Sequence, residues 1–195
     1  MKLKHYLFAA FMLLGLASCS EADDTVEEYA DWQVKNETYF EQQFQHHVPG
    51  TATSFALKKV SLPDTLSLSK VAHTDCILVD VLASGVETNE SPLYTDQVDV
   101  SYIGRLIPSP SYPDGYVFDA TYTGAFDPVV SASTTFSVNG VIEGFATALQ
   151  HMHRGDHWRI TIPYQLGYGA SAQNAIPAYS TLIFDIRLKD FGAEE

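Results

Sequence analysis

Positive charge is scarce in this chain of 195 residues. Eleven Lys and Arg stand against 24 Asp and Glu, for a net charge of −13. So acidic a surface argues against a nucleic-acid partner and against electrostatic docking on anionic lipid. Cysteine is rarer still, with Cys19 and Cys76 only. Cys76 opens the apolar run CILVDVL (76–82) and reads as a small buried hydrophobe, not a reactive thiol. The uncharged stretch from Tyr6 to Ala17 has twelve residues, too few to span a bilayer as a helix. No internal repeat or low-complexity tract can be read, and the run 136–169 holds no Ser-His-Asp set, Cys nucleophile or phosphate loop. What remains is 46% hydrophobic and 12% aromatic, enough to bury one good core but not two.

The first residues read as a processing segment. Lys2, Lys4 and His5 give a basic start ahead of the uncharged stretch, so residues 1–18 are expected to be a signal peptide. Its end, Leu16-Ala17-Ser18-Cys19, resembles the bacterial lipobox, in which the Cys is lipidated and becomes the mature N-terminus. Several acyl chains on Cys19 give durable attachment where one would be marginal. Loss of Lys2 and Lys4 takes the charge from −13 to −15. It also leaves Cys76 without an intramolecular disulfide partner. Glu21, Asp23, Asp24, Glu27 and Glu28 follow, an acidic tether over 19–25 and beyond. Such runs resemble surface-export signals of some Gram-negative lipoproteins and equally suit a solvated tether. The expected location is the bacterial envelope, on the outer membrane, facing either the periplasm or the surface.

Residues 26–48 have helical periodicity, with Tyr29, Trp32, Tyr39, Phe40 and Phe44 on one stripe and Pro49-Gly50 as the stop. A lone helix of this length is marginal in water, so the stripe must be buried. The cover is either its own globular domain or a second copy, which would make a homodimer. Residues 49–75 read as a linker, with Leu62, Leu66 and Leu68 hinting at a short strand. From Cys76 strand signals come in series, at CILVDVL, QVDVSYI, YVF, TTFSV, HWRITI and TLIFDIRL, with one helix near 142–152. The fold class is α+β: a curved, mainly antiparallel sheet wrapped on one short helix, with the N-terminal helix added.

The run FSVNGVIEGFATALQHMHRGDHWRITIPYQLGYG (136–169) is the most informative. An aromatic strand leads to Val141-Ile142-Glu143-Gly144-Phe145, then a helix ended by Gly155. A strand closing at Ile162-Pro163 follows, then Leu166-Gly167-Tyr168-Gly169. Upstream stand VDVSYIGRL (98–106) and Val117-Phe118-Asp119; downstream come Ile176-Pro177 and STLIFDIRL (180–188). This order closely resembles the FKBP-type peptidyl-prolyl isomerases over about residues 76–191. The resemblance implies cis–trans exchange of X-Pro bonds in exported polypeptides, with proline-containing clients and no cofactor or metal. The same fold could instead serve as a non-catalytic module that binds proline-containing segments.

By the same resemblance, Tyr102, Phe118, Asp119, Ile142 and Tyr168 carry catalysis, while Phe136, Val141, Phe145, Ile176 and Phe184 complete the pocket. Phe118 and Phe184 are expected to wall the proline ring, with Phe145 as its floor. The Ile142 N–H and the Tyr168 hydroxyl would hold the peptide carbonyls. Asp119 would orient a neighbouring hydroxyl or meet the twisting amide. Phe145 stands where the family has Trp. The segments 106–116 and 120–134 are longer than in minimal members, which predicts a rebuilt pocket rim. His151, His153 and His157 point apart on a helix end and a strand start, so a metal site is not expected.

Overall fold

The computed structural model describes residues 27–85 and 90–193. The expected signal peptide, the Cys19 lipid site and the tether at 19–25 lie outside them. The elements are α1 (Trp32–His47), β1 (Ser54–Lys58), β2 (Cys76–Ala83), β3 (Asp96–Leu106), β4 (Val117–Ala120) and β5 (Thr134–Ser137). After them come α2 (Glu143–Leu149), β6 (His157–Ile162) and β7 (Leu182–Ala193). The strands form one antiparallel sheet in the order β1-β2-β6-β7-β3-β4, with β5 also paired to β3. Architecture and class are those the alternation predicted: α+β, with a short helix against a sheet.

Alternation explains which face is dry. Along β7, Leu182, Phe184, Ile186 and Leu188 are buried while Ile183, Asp185 and Arg187 are half-buried. In β6, Trp158, Ile160 and Ile162 point the same way, opposite Ile186, Phe184 and Leu182. This face packs on α2, whose residues from Gly144 to Leu149 are all buried. A Cβ on Gly144 would sit 2.4 Å from Ile162 Cγ2, so glycine is what lets the helix lie this close. The helix closes at Leu149, earlier than expected. Gly155, at φ 90°, serves the turn into β6 and not the helix end.

The opposite face is partly covered by α1, which contacts β1 and β2. This helix starts at Trp32 and not near residue 26, because Asp31 adopts a left-handed backbone (φ 52°) that interrupts it. Its buried side is Trp32, Asn36, Phe40 and His47, while Tyr29 is exposed and Tyr39 and Phe44 half-buried. Trp32 Nε1 donates to Ser180 Oγ (2.8 Å). Asn36 Oδ1 accepts from the Thr181 N–H (2.7 Å), and His47 Nε2 lies 3.2 Å from Asp80 Oδ1. The buried side of the helix is therefore covered by its own domain.

The expected linker at 49–75 is corrected. Ser54–Lys58 pairs in register with Asp80–Cys76 as the edge of the sheet. All five β1 residues are half-buried, so no alternation betrayed the strand. Beyond it the Lys58 ammonium donates to the carbonyls of Pro63, Asp64 and Leu66, each at 2.8 Å. Leu66 and Leu68 thus lie in a folded loop. Cys76 is fully buried, and burial pushes its thiol up to about 11, the behaviour of a core residue.

Candidate active site

Tyr102 sits mid-β3 and is 7% exposed. Its N–H donates to Thr121 Oγ1 and its carbonyl accepts from the Thr121 N–H, both at 3.0 Å, which fixes its backbone. β4 pairs with β3 so that Asp119 faces Gly104, and Phe184 of β7 faces Gly104 from the other side. A Cβ at Gly104 would lie 2.6 Å from Phe118 Cε2 and 2.8 Å from Phe184 Cε1. The bare glycine is what allows those two rings to meet edge to face, 5.5 Å between centroids.

Phe145, in the first turn of α2, comes edge-on to Phe184 at 5.1 Å, to Tyr102 at 6.1 Å and to Phe136 of β5 at 6.4 Å. Val141 and Ile142 complete the wall in the turn before α2. The Ile142 carbonyl accepts the first helical N–H groups, those of Phe145 and Ala146. Its own N–H meets no acceptor among the described residues. Tyr168, 40% exposed, stands at the mouth on the turn after Leu166.

These side chains enclose an apolar cavity of about 290 Å³. Nine of the ten residues expected there line it, together with Gly140. The tenth, Ile176, does not. It is a buried core residue whose backbone pairs with Gln173 in a tight turn. Sequence reading missed Gly140, Gly104 and Thr121. Gly104 stood within a recognised strand, but only the approach of two rings reveals its role. Thr121 lies in a segment without any pattern.

The polar groups are few. Tyr102 Oη donates to Asp119 Oδ2 at 2.5 Å. Burial first, and then that carboxylate, push the Tyr102 phenol well above its ordinary range. Tyr168 is raised as well, by burial and then by Asp119, and its hydroxyl has no partner among the described residues. Both phenols remain hydrogen-bond donors throughout the neutral range. Neither long segment lines the cavity. Residues 107–116 are tied to Glu28, which accepts from the Ser109 hydroxyl and the Ser111 N–H. Residues 121–133 fold toward the outer face, where Arg187 lies 4.2 Å over Phe126 and Lys189 reaches the Ser131 carbonyl.

A family model described as FKBP-type peptidyl-prolyl cis-trans isomerase matches residues 88–189. The chain is also 32% identical over 182 residues to the macrophage infectivity potentiator of Trypanosoma cruzi, covering 92% of this chain and 80% of that protein. The chain belongs to the FKBP-type peptidyl-prolyl cis-trans isomerases. Another member, the 22 kDa FKBP-type isomerase of Escherichia coli, is 42% identical over 98 residues, half of this chain and 42% of that one. The crystal structure of FkpA from Escherichia coli superposes with a TM-score of 0.58 at 27% identity, over 84% of this chain and 61% of that chain. The match thus covers less than half of the 22 kDa Escherichia coli protein but four fifths of the Trypanosoma cruzi one. Its α1 and β1 precede the matched region.

Proposed function

We propose that this isomerase turns X-Pro bonds of exported polypeptides at the cavity between β3, β4, β7 and α2, held to an envelope membrane by lipid on Cys19. The observation that carries the site assignment is the convergence of Phe118, Phe184, Phe145 and Tyr102 on one apolar cavity with an N–H that has no partner among the described residues, that of Ile142, beside it. An X-Pro bond crosses a barrier of roughly 18–20 kcal/mol because amide resonance is lost in the twisted state. The twisted amide is less polar than the planar one, so a dehydrated apolar wall favours it over the ground state.

Each group then has a task. Phe118 and Phe184 grip the prolyl ring above Phe145, and the Ile142 N–H and Tyr168 hydroxyl hold flanking carbonyl oxygens. Asp119 accepts from Tyr102, which supports the orienting role over direct contact with the amide. No proton is transferred, and no nucleophile is needed.

The test is exchange of a proline tetrapeptide by the mature chain. Phe118→Ala should lower kcat/KM at least tenfold, about 1.4 kcal/mol of transition-state stabilisation, and Asp119→Ala by less. Protein that binds the peptide without speeding exchange would instead be a binding module. The envelope reading is supported by the lipobox-like Leu16-Ala17-Ser18-Cys19. Among the described residues no helix is long and apolar enough to cross a membrane. With its aromatic side spent on the domain, α1 favours a monomer over a dimer built on that face. Fatty-acid labelling of a Cys19→Ala variant would refute the anchor.

A further inference from the structure

We infer that a client polypeptide leaves the isomerase cavity through a second, adjoining cleft that takes a large apolar side chain close to the proline; this rests on the isomerase reading of the cavity. The cleft has a volume of about 490 Å³ and shares Val141 with the cavity, so one side chain borders both. A chain whose prolyl ring sits against Val141 therefore has somewhere to go.

One wall is the face of α2 that carries Glu143 and Ala146 and continues to Gln150, positions three and four apart and so aligned along the helix. The facing wall is Val60 and Ser61, from the segment after β1. It is fastened in place. Ser61 Oγ donates to Glu143 Oε1 at 2.6 Å, and the Val60 N–H reaches Thr147 Oγ1 at 3.4 Å. Both residues lie outside the region matched by the family, residues 88–189.

Tyr94 closes the far side while 57% exposed, and its neighbour Leu93 is 66% exposed. Their turn is held rigid by Asp96, whose carboxylate accepts from the Leu93 N–H (2.9 Å) and whose N–H donates to the Leu93 carbonyl (3.0 Å). Two large apolar side chains are thus presented to water beside an apolar cleft on fixed backbone. The ligand that suits this lining is an aliphatic or aromatic residue of an extended peptide. An acidic residue is disfavoured by the Glu143 carboxylate at the rim.

Five peptides decide the matter on the full mature chain: a Leu-Pro tetrapeptide, and four octapeptides with the same core that carry Leu or Ser on one side of it or the other. The octapeptide with Leu on the side that enters the cleft should exceed its Ser counterpart about threefold to tenfold in kcat/KM, chiefly through KM, the scale of one apolar contact. Tyr94→Ser and Val60→Ser should each abolish that preference and leave the tetrapeptide within about twofold. The same preference should appear in Kd by fluorescence anisotropy. Equal Kd for Leu and Ser on both sides, or a preference that survives both substitutions, overturns the cleft. A tetrapeptide that is bound but not exchanged overturns the isomerase reading instead, and the Kd comparison still decides the cleft.

Discussion

Gly104→Ala offers the sharpest separation of catalysis from stability in this molecule. The new methyl group would meet Phe118 Cε2 at 2.6 Å and Cζ at 2.7 Å, and Phe184 Cε1 at 2.8 Å. Ordinary contact begins near 3.4 Å, so Phe118 must retreat by about 0.8 Å and Phe184 by about 0.6 Å. Phe184 is 5% exposed and boxed in by Phe145 and Tyr102, whereas Phe118 is half-buried on the four-residue strand β4. Phe118 therefore yields easily, while Phe184 must press on its neighbours. Because Phe118 swings toward solvent and only Phe184 presses on packed neighbours, the stability loss should lie in the lower part of the overpacking range, about 1–2 kcal/mol. Catalysis is less forgiving, since a displacement of roughly 1 Å at a positioned group can cost about a hundredfold. The expected result is a fall in kcat/KM of at least tenfold, with Tm lowered by only a few degrees. Tm is read by calorimetry and exchange by a proline-peptide assay at equal protein concentration. Intact activity, or a collapse of Tm that accounts for the loss, would refute the role given to the Phe118–Phe184 contact.

The docking of α1 yields two further expectations. Asn36→Ala removes the acceptor of the buried Thr181 N–H and should cost about 1–3 kcal/mol, read as a lower midpoint in denaturant; an unchanged midpoint would show the helix to be a passenger. His47 should make stability pH-dependent. Its Nδ1 faces the Gln43 carbonyl at 2.7 Å and its Nε2 faces Asp80 at 3.2 Å, two acceptors that only the doubly protonated ring can satisfy. The hydrogen bond to Asp80 accordingly raises the imidazole above its ordinary value, and His47, with Ser54 beside it, lowers the carboxylate. A raised folded value means the contribution is complete below the unfolded value of about 6.5 and fades as pH climbs through the folded one. Asp80 acts in the opposite sense, its share being lost as pH falls through its lowered value. The clasp therefore holds best at mildly acidic pH. Between about pH 6 and 8 the Tm of wild type should fall relative to that of His47→Gln, and parallel curves would count against the charged clasp.

How much of this could be read from residues alone differs by element. β6 and β7 were legible because alternation over Trp158-Ile160-Ile162 and Phe184-Ile186-Leu188 has one solution: the apolar set faces the core. β1 was not, since Ser54–Lys58 is neither alternating nor strongly apolar and is a strand only because β2 offers an edge. In α1 the aromatics suggested the buried stripe, yet Asn36 belongs to it and Tyr29 does not. A buried amide is explained by partners 145 residues away, and no local pattern carries that information. The cavity was recognised through the order of several motifs, not through any single residue. Ile176 shows the limit of such matching, because a turn places it in the core behind the site.

The position of β7 sets a condition on when this protein can work. β7 joins β6 to β3, and it brings Phe184 to the cavity. Its partner β3 begins at Asp96, so the pairing closes a loop of some eighty residues, from Leu106 to Leu182 at the shortest. Such distant pairing is slow to form. During synthesis, every wall contributed by β3, β4 and α2 emerges before the strand that unites them. The catalyst is thus silent until β7 is delivered, and its own folding must be complete before it can hasten that of another chain.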